Sequence, residues 1–153
     1  MKRNQWLLLA IFLLIGAPLQ GEAAEYEWTD LQGKTTSLAD YHGKPLILHF
    51  WASWCPPCRG EMPELTAWIK THPETTLIAV SLDKEMSDIQ KFLDTENIPL
   101  PALQGDKAGV VRLGIRGLPA TLIIDADGEV LRQRVGAVAW SDPKASAAFL
   151  QGL

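Results

Sequence analysis

"HFWASWCPPCRGEMP" runs from His49 to Pro63 and holds both cysteines of the chain, Cys55 and Cys58, with two prolines between them. Just before the motif proper, "LILHFWA" (Leu46–Ala52) is a dense apolar run entered after Pro45, which predicts a buried central strand. After it, from Pro56 to about Thr71, Met62, Leu65, Trp68 and Ile69 recur at helical spacing. Pro63 falls inside that pattern and predicts a kink. The cysteines therefore sit where a buried strand gives way to a helix. That junction is the carboxyl edge of a sheet, where open α/β folds carry their sites.

Working outward, "TTLIAVSLD" (Thr75–Asp83) reads as a second buried strand with β-branched content. Ser87 is a candidate cap for a helix carrying Ile89, Phe92 and Leu93 to about Glu96. "IPLPALQGD" is extended and turn-like, and Asp106 caps a short helix ending near Gly114. "ATLIIDADGEVLRQRVG" reads as two strands around a turn at "DADG", so Asp125 and Asp127 need no catalytic role. A last helix spans Asp142 to Gln151 with Pro143 at its first position. At the front, "EYEWTDLQGKTTSLADYHGKP" is an entry segment with one short turn of helix capped by Ser37. Helices alternating with buried strands predict a three-layer α/β domain with a mostly parallel sheet, the hairpin adding an antiparallel edge.

The chain has 153 residues, 47% of them hydrophobic, and a formal net charge of −4. That suits one compact domain, and the absence of a Lys/Arg run argues against nucleic acid as a partner. Lys2 and Arg3, the apolar run from Trp6 to Pro18, and the small residues of "LQGEAAE" read as a secretory signal over residues 1–24. Cleavage after Ala23 puts Gly21 and Ala23 at the two small-residue positions, and an uncleaved membrane anchor is the alternative. Residues 25–153 then form the domain and face an exported compartment such as the periplasm.

In an oxidising compartment a cysteine pair is usually a structural disulfide. A loop with only two intervening residues gains little chain entropy from closure, so that role suits Cys55 and Cys58 poorly. A redox role suits them well. Cys55 falls at or just before the helix N-cap, where free N–H groups and the positive end of the helix dipole favour a thiolate. The thiolate is the nucleophile of disulfide exchange, and Cys58 lies on the same helix face to resolve the mixed disulfide. Pro56 and Pro57 carry no N–H, so Cys55 keeps mainly the amide and thiol of Cys58 as donors. That predicts a less depressed thiol pKa and a more reducing couple.

"FWASWCPPC", "RGEMP" and "RGLPATLIIDADGEV" together resemble the thioredoxin fold, a central mixed sheet with helices on both faces. More narrowly they are similar to the exported TlpA/ResA/CcmG-type thiol–disulfide oxidoreductases, over about Glu25 to Leu153. The resemblance implies that Trp54 shields the site and contacts partners. It makes Pro119 in "GLPAT" a cis-proline facing the cysteines, with the Leu118 backbone pairing to an extended substrate. Pro56 and Pro57 would border that substrate. Glu61 matches an acidic residue of the subgroup that tunes Cys58 or relays a proton; as a plain surface residue it would only be solvated. His49 stands where cytoplasmic thioredoxins carry a buried Asp. It is either a hydrogen-bonded core residue or a neutral base for Cys58.

The resemblance further implies a monomer that reduces protein disulfides, with apocytochrome c as a candidate substrate and a membrane thiol-reductant as electron donor. No residue set points to a metal or other cofactor. An oxidant role is the opposite direction of the same chemistry. A thiol peroxidase would need a lone activated cysteine in a Thr- and Pro-containing loop. A copper chaperone of the same fold would need wider cysteine spacing and a downstream His, whereas the histidines are His42, His49 and His72. Phe50, Trp51 and Trp68 read as core; Trp28 and Trp140 carry no legible role, Trp28 being open to a partner surface.

Overall fold

The computed structural model describes residues 26–151. Residues 1–24, read above as a signal or anchor, lie outside the described residues. Among those described, no helix is long and apolar enough to cross a membrane.

Seven strands form one sheet. In chain order they are β1 (Glu27–Asp30), β2 (Thr35–Ser37), β3 (Leu46–Trp51), β4 (Thr76–Ser81), β5 (Leu103–Gly105), β6 (Ala120–Ile124) and β7 (Val130–Val135). The helices are α1 (Pro56–Lys70), α2 (Met86–Thr95), α3 (Lys107–Arg112) and α4 (Pro143–Phe149), with a 3-10 turn at Leu38–Tyr41. The strand order is β2-β1-β5-β4-β3-β6-β7. Pairs β3–β4 and β4–β5 are parallel, while β1–β2, β1–β5, β3–β6 and β6–β7 are antiparallel. The sheet is therefore mixed, as the thioredoxin resemblance implies, rather than mostly parallel as helix–strand alternation alone predicts. The difference has two sources: β6 runs antiparallel to the central β3, and the two short strands of the entry segment extend the sheet antiparallel through β5.

β3 is central and all six of its residues are buried. Its side chains alternate between two cores. Ile47 and Trp51 face Cys58, Met62 and Leu65 of α1 and Ile89, Phe92 and Leu93 of α2. Leu46, Leu48 and Phe50 face Tyr26, Trp28, Val110 and Ile115 on the other side. Trp28 is only 3% exposed, so it belongs to this second core and is not a partner surface. β1 pairing to β5 carries it inward, where it lies 6.3 Å from the Tyr26 ring and 5.8 Å from the Tyr41 ring. A Cβ on Gly105 would overlap the Tyr26 hydroxyl, which explains a glycine inside β5.

Boundaries follow local chemistry. Asp106 caps α3 by accepting the Gly109 N–H at 2.7 Å, and Asp142 caps α4 by accepting the Lys144 N–H at 2.8 Å. α2 starts at Met86 behind an N-cap at Glu85, two residues earlier than Ser87 predicts. α1 runs continuously across Pro63. In the β6–β7 turn the Asp125 carboxylate accepts the N–H groups of Asp127 and Glu129, each at 2.9 Å, and Gly128 takes a φ of 85° that disfavours a side chain.

Candidate active site

Cys55 is the N-cap of α1, with extended backbone at φ −94° and ψ 106°. Its N–H donates to Ala52 O at 3.2 Å and its C=O accepts the Arg59 N–H at 3.1 Å. Pro56 and Pro57 fill the first two helical positions, so the first amide available to a Cys55 thiolate is that of Cys58. The two cysteines form a disulfide with their Cα atoms 5.3 Å apart. Cys55 is 5% exposed and lines a cleft of about 600 Å³; Cys58 is fully buried behind it. Trp54, Pro56, Pro57 and Leu118 line the same cleft. Trp54 is 66% exposed, an indole held in solvent beside the disulfide. The Leu118–Pro119 peptide bond is cis, and Pro119 is buried behind Leu118.

The structure thus brings six predicted residues to one place: Trp54, Cys55, Pro56, Pro57 and Leu118 at the cleft, with Cys58 beneath. Leu118 makes no hydrogen bond through its own N–H or C=O to another described residue, although it borders β6. Its peptide groups are therefore free to pair with an incoming chain.

Glu61 lies behind the cysteines, one turn after Cys58 on α1, and is 3% exposed. A solvated surface role does not fit that burial. Its Oε1 accepts the Val138 N–H at 2.9 Å and the Trp140 Nε1–H at 2.7 Å. Its Oε2 is buried without a partner among the described residues. Burial pushes its pKa above the ordinary carboxylate value; the two hydrogen bonds and Arg134 pull it back, and Glu64 raises it. A carboxyl group with one oxygen clamped and one free is suited to holding a proton.

His49 also faces the α1 side of the sheet, by alternation with Ile47 and Trp51. It is fully buried, and its Nδ1 lies 3.0 Å from Thr121 Oγ1 on the adjacent strand. Nε2 has no partner. Burial lowers its pKa to about 3, so the ring is neutral. It is a core residue with a hydrogen bond on one nitrogen only.

The loop before Cys55 is held from β4. The Asp83 carboxylate, 4% exposed, accepts the Ser53 N–H at 2.8 Å, the Ser53 hydroxyl at 2.7 Å and the Ser81 hydroxyl at 2.5 Å. Asp83, Thr121, Val138 and Trp140 are missed by sequence reading. An Asp closing a buried strand beside the motif strand was the available signal for the first. Nothing in one sequence links Glu61 to Trp140, which stands 79 positions away. Trp68, read as core, is only half-buried near the end of α1. There it stacks on His72 with centroids 4.0 Å apart and lies 5.2 Å from the Trp140 ring.

The AhpC/TSA family model matches residues 19–133. The chain is 31% identical to the thiol-disulfide oxidoreductase ResA of Bacillus thuringiensis (strain Al Hakam) over 157 residues, covering 89% of this chain and 91% of the relative. It is also similar to a crystal structure described as thiol:disulfide interchange protein DsbE from Chlorobium tepidum, with TM-score 0.68, 28% identity, and 84% and 94% of the two chains covered. The exposed lipoprotein thioredoxin Etrx1 of Streptococcus pneumoniae TIGR4 matches with TM-score 0.69 and 27% identity over 85% of this chain and all (100%) of that one.

Proposed function

The chain is a thiol–disulfide oxidoreductase of the AhpC/TSA family with a thioredoxin fold, and from that membership we propose that it works as an exported reductant of protein disulfides. In the proposed cycle the Cys55 thiolate attacks one sulfur of a substrate disulfide. The substrate S–S bond breaks, and its electron pair leaves on the second substrate sulfur, which takes a proton. Cys58 then gives up its proton and attacks the Cys55 sulfur, releasing the first substrate sulfur as a thiolate. Two electrons have passed to the substrate, and Cys55 and Cys58 end as the disulfide. A membrane thiol-reductant returns the pair to the dithiol by the reverse exchange.

Each residue has a proposed part. Trp54 offers an exposed indole to the docking chain, Pro56 and Pro57 border it, and the free Leu118 peptide groups pair with its backbone. Pro119 holds that loop against the cysteines. Glu61 takes the proton of Cys58 through its free Oε2; its raised pKa brings carboxyl and thiol closer in acidity. The reducing direction is supported by the two prolines at the start of α1, which leave a Cys55 thiolate short of amide donors and so keep the dithiol less acidic. Export is supported by the character of residues 1–24, and haem attachment to apocytochrome c is the setting suggested by the TlpA/ResA/CcmG resemblance.

The observation that carries this reading is the asymmetry of the pair, with Cys55 bordering an open cleft and Cys58 sealed. Trapping tests it. Cys58→Ser should hold its substrate as a mixed disulfide through Cys55, and mass spectrometry of the adduct names the partner. Equilibration of the wild type with glutathione should give a reducing potential. No adduct from the Ser variant, or an oxidant's potential, would refute the reading.

A further inference from the structure

The cleft in front of Cys55 has a charge sign of its own, and we propose that it selects protein disulfides flanked by acidic and apolar residues. This rests on the function proposed above and narrows its substrate class. Among the described residues, the charged side chains lining the cleft are Lys107 and Arg116, and no Asp or Glu lines it. Both cations are exposed. Among the described residues the salt bridge is Arg59–Glu96, so neither cation is tied up in one. The carboxylate adjacent to Lys107, that of Asp106, is occupied in capping α3 through the Gly109 N–H at 2.7 Å.

The contrast with the rest of the molecule is what gives this weight. The chain as a whole carries −4. The groove beside Arg59 mixes Lys91 with Asp88 and Glu96, and the one beside His72 carries Glu64. A local positive rim on a net negative protein marks a place where oppositely charged partners are steered and registered.

Placement makes the rim usable. Lys107 opens α3 and Arg116 lies beyond its end, so the two cations bracket the helix that forms one wall of the cleft. Between them Val111, 45% exposed, joins Trp54 and Leu118 in an apolar surface next to Cys55. A segment pairing with the Leu118 backbone passes Arg116 two residues away. Carboxylates on either side of its disulfide would meet a cation, and an apolar residue between them would cover Val111.

The test uses three oxidised peptides with a common Cys-x-x-Cys-His core, flanked by Glu, Gln or Lys, and the reduced full-length protein. The specificity constant kcat/KM should fall in that order, with Glu over Lys by ~10-fold at low ionic strength, a scale set by rim charges acting on association. In ~1 M salt, where screening acts over roughly 3 Å, the three should converge. The double variant Lys107→Glu/Arg116→Glu should invert the order. Equal rates for the three peptides at low salt, a Lys preference, or an order that survives 1 M salt would overturn the charge assignment while leaving the reductase reading intact. Reduction of none of the peptides would remove the reductase reading itself. The salt series needs only the wild type, so it decides even if the double variant folds poorly.

Discussion

Only two prolines separate Cys55 from Cys58, yet the surroundings of the two cysteines have little in common. Around Cys55 the molecule is open: an indole in solvent, a cleft of about 600 Å³ and, among the described residues, Leu118 peptide groups without partners and two cations outside any salt bridge. Around Cys58 it is closed, with a fully buried residue and, one turn further along α1, a buried carboxyl that two N–H donors clamp. The helical register produces this difference, since position 55 caps α1 at the sheet edge and position 58 turns into the core. One sulfur borders the cleft and its neighbour lies in the core.

The largest expected effect breaks the comparison outright. Cys55→Ser should abolish turnover, by ~10³-fold or more, as loss of a nucleophile does, and should form no mixed disulfide. Assay of insulin or peptide disulfide reduction checks it. Next comes the closed side. Glu61→Gln should slow resolution by ~10²-fold, the usual worth of a positioned acid or base, and mixed disulfide should accumulate. Trp140→Phe keeps the ring but drops the Nε1–H. It should raise the Glu61 pKa further and move the alkaline-going limb of the rate profile to higher pH, and it should do nothing more in the Glu61→Gln background.

Stability should carry the same signature. Burial raises the Glu61 pKa, so the native state keeps a proton that the unfolded chain releases. Stability is therefore full below the ordinary value and falls as pH rises from it through the raised folded value. Urea unfolding across pH should show that fall in wild type and not in Glu61→Gln. The open side should respond more mildly. Trp54→Ala should leave urea midpoints unchanged, because the indole is exposed, and raise KM several-fold, on the scale of a contact residue at an interface. An effect confined to acid concerns His49, held neutral with a pKa of about 3. The unfolded chain binds a proton below pH 6.5 that the native state refuses, so stability should drop from 6.5 toward 3. His49→Asn should flatten that part of the acid limb.

The open side was largely legible in the sequence, because its parts are local. An apolar run leading into Cys-Pro-Pro-Cys places a helix cap without reference to anything distant, while the loop of "GLPAT" was brought to the site only by the family resemblance. The closed side was legible only in part: the motif supplied Cys58 and the family resemblance supplied Glu61, but not the burial of Glu61 or its partners. Glu61 is a polar residue at an ordinary helical position, and only the return of the chain through Val138 and Trp140 buries it. Trp28 failed to read as core for a related reason: its strand has four residues and is held by partners at β2 and β5 rather than by its own pattern. The sheet's mixed direction came from those same short strands and from β6, which runs antiparallel to β3.

Asp83 has a consequence for anyone who would move this site elsewhere. Its carboxylate grips Ser53 twice, by N–H and by hydroxyl, and it stands just past the end of β4 and not within the motif. The pose of Trp54 and Cys55 is thus inherited from a neighbouring strand. A graft of Trp54–Glu61 alone into a foreign scaffold would arrive without its mooring, and a transplant that behaves like the parent would need the Ser81–Asp83 corner as well.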